Sequence, residues 1–242
     1  MLIGGNDKLG LVHHFSLKAG ATCPGQTDTC SDDCYAKKFL FQMPSVKKSH
    51  TRSKRASMHR TFATRMIAYI KLMRLKTVRI HSSGDFYSWR YIKKWTRIIR
   101  SCPDTQFYAY TRSWRKVDSI TPAMRMALKR LSTFPNMTLW LSCDKDTGKP
   151  PAWPGVPWAY MACDDDDIPD YIPTLVFRVR RSTVMRAQPE TQAIVCPLEQ
   201  GVDLPNTTCE TCRMCYNKSS KVLKQLFPVS EIGLSRRANV AK

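Results

Sequence analysis

Apolar and polar positions follow two periods along the chain. Val12–Leu17 reads as a first strand and closes at Ala19-Gly20. Met58, Phe62, Met66, Tyr69, Ile70 and Met73 recur at three- and four-residue spacing, which predicts a helix over Ser57–Leu75 with one apolar face. Thr77–Ser82 is short and β-branched, a strand ending at Ser83-Gly84-Asp85. Ser88 is placed to cap a helix whose Ile92, Trp95 and Ile99 face inward. Gln106–Thr111 alternates as a strand, and Thr121-Pro122 opens a helix with cap and first-turn proline in the favoured order. Met137–Cys143, Trp158–Cys163, Thr174–Val179 and Thr191–Val195 read as further strands, and residues 145–157, with Pro150, Pro151, Pro154 and Pro157, as a loop.

Strands alternating with helices predict an α/β protein, a partial (β/α) barrel of about six strands. The predicted division is a barrel over residues 1–190 and a cysteine-rich metal-binding segment with a terminal helix over 191–242. In such folds chemistry gathers where strands end, and His81, Ser82, Ser83, Asp85, Asp144 and Cys163 fall at those ends.

Composition adds a partner class. The 242 residues carry 39 Lys and Arg against 19 acids, a net charge of +20, which points to a polyanion. Residues 47–100 hold sixteen Lys or Arg and one acid, Asp85. That stretch predicts contact with DNA or RNA through phosphates, with Lys54, Arg55, Arg60, Lys93, Lys94 and Arg97 as the contact residues. Trp89, Tyr91, Trp95 and Tyr69 are spaced for core packing more than for base stacking. No apolar run approaches the roughly 18 residues of a membrane span, and the N-terminus does not read as a signal peptide. Ten cysteines without an export signal suggest a cytoplasmic chain with reduced thiols.

Seven of those cysteines are grouped. Cys23, Cys30 and Cys34 lie in one loop after the first strand. Three thiolates there suit three irons of a 4Fe–4S cluster with the fourth iron open, or a zinc site completed by His13 or His14. Cys196-Pro197 and the Cys209, Cys212, Cys215 run are ferredoxin-like in spacing, and a four-cysteine zinc site fits them too.

The set Phe15-Ser16-Leu17, Thr22-Cys23-Pro24-Gly25, Cys30, Cys34-Tyr35-Ala36, Val78-Arg79-Ile80-His81, Ser83-Gly84-Asp85-Phe86-Tyr87 and Phe107-Tyr108-Ala109-Tyr110-Thr111 resembles a phage- and plasmid-encoded family known as gene product 88. More distantly it resembles the radical S-adenosylmethionine (SAM) superfamily. That second resemblance implies a cluster on Cys23, Cys30 and Cys34 beside Tyr35, and a SAM-contacting motif at Ser82, Ser83, Gly84 and Asp85. It also implies an auxiliary cluster on the C-terminal cysteines. The cysteine spacing is longer than the superfamily's commonest one, and the second-strand motif is not its usual Gly-Gly-Glu.

Three functional readings follow. The first is a radical SAM-like enzyme modifying nucleic acid or a nucleotide. In it Asp85 and His81 are catalytic, Asp144 joins the cofactor contacts, and an external electron donor is required. The second is a non-catalytic iron-sulfur or zinc protein that grips DNA or RNA through the 47–100 face. The third is a divalent-metal nuclease built on His81, Asp85, Asp144 and the Asp164–Asp167 run. A phage-encoded chain of this kind would work in the host cytoplasm.

Overall fold

The first strand, β1 (His13–Phe15), sends Phe15 to one face and His14 to the other, and the same alternation runs through β2 (Thr77–Ile80), β3 (Gln106–Thr111) and β4 (Met137–Cys143). The computed structural model describes residues 2–163, 167, 169–171, 173–178, 194–196, 198 and 207–217. Among them one parallel sheet runs in the order β1 to β7, completed by β5 (Trp158–Ala162), β6 (Leu175–Arg178) and β7 (Ile194–Val195). Each strand pairs with the next in sequence, and no pairing joins β7 to β1 among the described residues. The α/β class therefore stands, as a seven-stranded parallel sheet. The C-terminal part of the expected Thr174–Val179 strand, most of Thr191–Val195, residues 164–166 and the expected terminal helix lie outside the described residues.

Parallel neighbours need crossovers, and the first three carry helices. These include α3 (Pro44–Met58), α4 (Phe62–Leu72), α5 (Trp89–Ser101) and α6 (Pro122–Leu131), preceded by the short α1 (Asp28–Asp32) and α2 (Phe39–Gln42). Ser88 caps α5 and Thr121 caps α6, each accepting from an N–H three residues on, and Pro122 takes the first turn. Residues 144–157 cross from β4 to β5 without a helix.

The expected Ser57–Leu75 helix begins later, and Ser57 and Met58 belong to the end of α3. α3 ends at Met58 and α4 begins at Phe62, and the chain turns between them. Met58 and Met73 are exposed rather than part of an apolar face. Helix α3 has almost no apolar periodicity to predict it: its first turn is set by Pro44, and only Val46, Ala56 and Met58 are apolar beyond that.

The main core lies between the sheet and α4–α6. Phe15, Val78, Ile80, Phe107, Ala109 and Leu139 from the strands meet Phe62, Met66, Tyr91, Ile92, Trp95 and Leu128 from the helices. Phe15, Phe62 and Trp95 pack edge to face at 5.5–5.8 Å between ring centroids. Burying one such side chain contributes roughly 1.5–3 kcal/mol.

The opposite sheet face is covered by Leu9 and Val12 and by residues 207–217. Helix α7 (Cys209–Cys212) starts with a Thr208–Thr211 capping box, and Arg213 closes it in the left-handed region at φ 59°. Cys209 N–H donates to the Lys8 carbonyl and Leu11 N–H to Glu210 Oε2, at 2.8 and 2.9 Å. Trp140 Nε1 donates to the Cys215 carbonyl at 2.8 Å, and Tyr216 stacks on Tyr108 at 5.3 Å. Hydrogen bonds and ring packing thus fasten this segment to the sheet.

Candidate functional site

The C-terminal ends of β1 to β4 carry the polar cluster. After β2 the chain turns through Ser82 and Ser83 into Gly84, whose φ of +80° suits glycine. A Cβ there would meet Leu17 Cβ and Thr22 Oγ1 at 2.5 and 2.6 Å. Ser82 N–H donates to the Phe15 carbonyl and Leu17 N–H to the Ser83 carbonyl, at 2.9 and 2.8 Å. Ser83 Oγ donates back to the Leu17 carbonyl, and the Tyr35 hydroxyl donates to the Ser82 carbonyl. Ser82 Oγ is enclosed without a hydrogen-bond partner.

Asp85 is buried and its carboxylate is fully used. It accepts from Thr111 Oγ1 at 2.6 Å, Phe86 N–H at 2.6 Å and Arg112 N–H at 2.8 Å. Burial raises its pKa, opposed by those donors. Asp144, at the end of β4, accepts from Thr27 Oγ1 at 2.7 Å and from Arg112 Nε and Nη2 at 3.0 Å each. The N–H groups of Asp146 and Thr147 complete its shell at 3.1 Å. Arg112 therefore links two buried carboxylates, by its backbone to Asp85 and by its side chain to Asp144. Sequence reasoning passed over Arg112; its place one residue past β3, facing acids one residue or more past β2 and β4, is the signal that could have found it.

The same network holds the cysteine loop. Thr27 caps α1 by accepting from Cys30 N–H at 2.9 Å while donating to Asp144. Thr29 N–H donates to Asp146 at 2.9 Å, and Arg115 Nη1 donates to the Gly25 and Gln26 carbonyls at 3.2 Å. These bonds fix the loop on the ends of β3 and β4.

The loop so fixed does not build the expected metal centre. Among the described residues, which include all ten cysteines, no group of three or more His, Cys, Asp or Glu side chains converges to hold a metal ion, and none of the cysteines forms a disulfide. Burial, with the charge of Asp85, pushes the Cys23 thiol up to about 12. Burial raises Cys30 and Cys212, and pushes Cys215 up to about 12. Cys215 Sγ accepts from the Tyr110 hydroxyl at 2.8 Å, and Cys196 is buried beside Trp140 and Leu175.

The expected cluster on Cys23, Cys30 and Cys34 and the iron-sulfur or zinc site on Cys196, Cys209, Cys212 and Cys215 are therefore corrected. With them go the radical SAM enzyme, its SAM contacts and electron donor, and the metal-held binding protein. Nor do His81, Asp85, Asp144 and Asp167, the described members of the expected divalent-metal nuclease site, converge to hold a metal ion. Of its acidic run, Asp167 is occupied by Cys163 N–H at 2.8 Å and by the Tyr160 hydroxyl, and Asp164, Asp165 and Asp166 lie outside the described residues.

His81, expected to be catalytic, lies on the helix side of the sheet. Its ring packs against Phe86 at 4.7 Å, and its Nε2 is 2.9 Å from the Tyr91 hydroxyl. Its backbone has φ 68°, a left-handed conformation unusual for histidine, and Nδ1 is enclosed without a hydrogen-bond partner among the described residues. Burial, then the charge of Arg79, pushes its pKa down to about 3. The imidazole is neutral at physiological pH.

The basic stretch falls mostly on α3, α4 and α5, with Arg79 on β2. Of its sixteen Lys and Arg, thirteen are exposed, including Arg55, Arg60, Lys93 and Arg97. Along α5, Arg90, Lys93, Lys94 and Arg97 take positions i, i+3, i+4 and i+7, opposite the buried Tyr91, Ile92, Trp95, Ile98 and Ile99. Two of the expected contact residues have other occupations. Lys94 Nζ donates to the carbonyls of Ser57, Met58 and His59 at 2.7, 2.9 and 3.0 Å, capping the C-terminus of α3. Lys54 Nζ sits 2.8 Å from the centroid of the Tyr87 ring, and burial lowers its pKa to about 8. Of the aromatic residues in this stretch, Tyr91 and Trp95 are core and Tyr69 packs against it, whereas Trp89 is 37% exposed with Lys93 Nζ 4.3 Å from its ring centroid. No helix among the described residues is long and apolar enough to cross a membrane.

Comparison with known proteins supplies the lineage. The "Gene 88 protein" of Mycobacterium phage L5 is 32% identical over 156 residues, covering 59% of this chain and 62% of that protein. The "Gene 88 protein" of Mycobacterium phage D29 is 31% identical over 156 residues, covering 59% of this chain and 61% of that one. The matched stretch thus spans less than two thirds of either relative. No solved structure matches the chain. The radical SAM part of the resemblance gains no support from these relatives. A family profile described as "Gene product 88" matches residues 3–218, nearly the whole chain, and the protein belongs to the gene product 88 family.

Proposed function

We propose that this protein binds nucleic acid through the exposed cations of α3, α4 and α5. The observation that carries the reading is the imbalance of exposed charge in residues 47–100. Thirteen exposed cations lie between residues 47 and 100, and the single acid of the stretch, Asp85, is buried at the strand ends with its oxygens already engaged. A surface built only for solubility would mix both signs; a single-sign field attracts phosphates. Trp89, flanked by Lys93 and by Arg90 at 5.6 Å, adds a ring on which an unpaired base can stack.

The test is fluorescence anisotropy with labelled single- and double-stranded DNA and RNA across a potassium chloride series. Log K should fall linearly with log salt. Replacing Arg55, Lys93 and Arg97 together with glutamine should reduce the slope by roughly one unit for each cation withdrawn from a phosphate. Absence of binding at low salt, or an unchanged slope in the triple variant, overturns the reading. Lys94 is left in place because it caps α3.

A further inference from the structure

The sheet face away from the helices carries a permanent cation that no protein group neutralises among the described residues. The register of β1 to β4 aligns His14, Arg79, Tyr108 and Thr138 in one cross-strand row. Arg79 is partly buried, and its Nε is enclosed without a hydrogen-bond partner. It forms no ion pair with a carboxylate among the described residues. Its nearest electrostatic neighbours are Tyr35, Tyr108, Tyr110 and Cys209, with its guanidinium carbon 5.7 Å from the Tyr110 ring centroid. On the β1 side stands His14, itself within reach of the charges of His13 and His50.

The residue paired with Arg79 across β3 has the matching deficit. Tyr108 is buried, and its hydroxyl also lacks a hydrogen-bond partner among the described residues. An enclosed guanidinium nitrogen and an enclosed hydroxyl, left unpaired, each cost free energy that one negatively charged acceptor would recover. Arginine holds its charge at any accessible pH, so the site cannot relieve itself by losing a proton.

We infer that Arg79 and Tyr108 form a binding site for a phosphate oxyanion on the inner sheet face. The site is separate from the helical surface and stands or falls independently of it. The phosphate is the free ion or that of a small ester, since both polar atoms are enclosed and Tyr216 covers Tyr108.

Isothermal titration calorimetry with inorganic phosphate, at ionic strength held constant with chloride, tests the site. The wild-type protein should bind one phosphate per chain saturably. Arg79→Met should weaken binding at least about tenfold, and Tyr108→Phe, which leaves the packing in place, should weaken it by a smaller factor. The Arg55, Lys93 and Arg97 triple variant should bind phosphate as the wild type does. Displacement by a mononucleotide identifies a small ester as the source, and displacement by a duplex alone overturns the placement at this enclosed site. No saturable binding overturns the inference, as does binding abolished in the triple variant or unchanged in both Arg79→Met and Tyr108→Phe. Tyr108→Phe keeps the test decisive should Arg79→Met fail to fold.

Discussion

Replacing His81 with asparagine should remove a defined part of the protein's acid sensitivity. Asparagine tolerates the left-handed backbone found at this position, φ 68°, so the substitution is not confounded by main-chain strain. In the folded protein, burial and the nearby charge of Arg79 hold the imidazole at a pKa of about 3, and the ring is 3% exposed. In the unfolded chain it returns to about 6.5. Between those values the unfolded state binds the extra proton, so stability falls as pH drops from about 6.5 toward 3 and is retained above that window. Integrating the proton uptake between pH 7 and pH 5 gives about 2 kcal/mol for this one group. At pH 7 the variant should be the less stable protein, by about 1–2 kcal/mol, because it loses the ring packing and the bond to the Tyr91 hydroxyl. By pH 5 that gap should close or reverse. His14, held at about 4, titrates in the same direction but is present in both proteins, so the difference isolates His81. Urea unfolding at the two pH values reads the gap directly. A wild-type minus variant difference that does not change with pH would refute the placement of a neutral imidazole in this core.

Two further outcomes follow from the polar network. Asp144→Ala should cost about 3–5 kcal/mol, since it leaves the Arg112 guanidinium without its carboxylate and releases Thr27; thermal unfolding measures the loss, and cleavage by a protease within residues 23–34 should accelerate. Lys94→Met should lower stability by about 1 kcal/mol through loss of the cap on α3, yet leave the salt slope of nucleic-acid binding unchanged, which anisotropy checks.

Much of the architecture follows from local pattern. Strands β2 to β5 and helices α5 and α6 begin and end close to where alternation, Ser88, Thr121 and Pro122 place them, because those signals act within a turn or two of chain. Local pattern also put the cationic residues on one stretch and the polar residues at strand ends. It could not place the break between α3 and α4, where Met58 extends an apolar period that the chain abandons. Nor could it show that Lys94 was committed to carbonyls 35–37 residues away.

The cysteines mark the sharper boundary. Spacing brings thiols near one another along the chain, but metal binding depends on whether sulfurs converge and ionise, and both are properties of the packed surroundings. Asp85 and Asp144 were legible as strand-end acids, while their engagement by Thr111, Thr27 and Arg112 joins residues 26 to 117 positions apart. The unneutralised Arg79 was hidden for the same reason. A sequence shows that an arginine occupies a strand, and only the folded sheet decides which charges stand across from it.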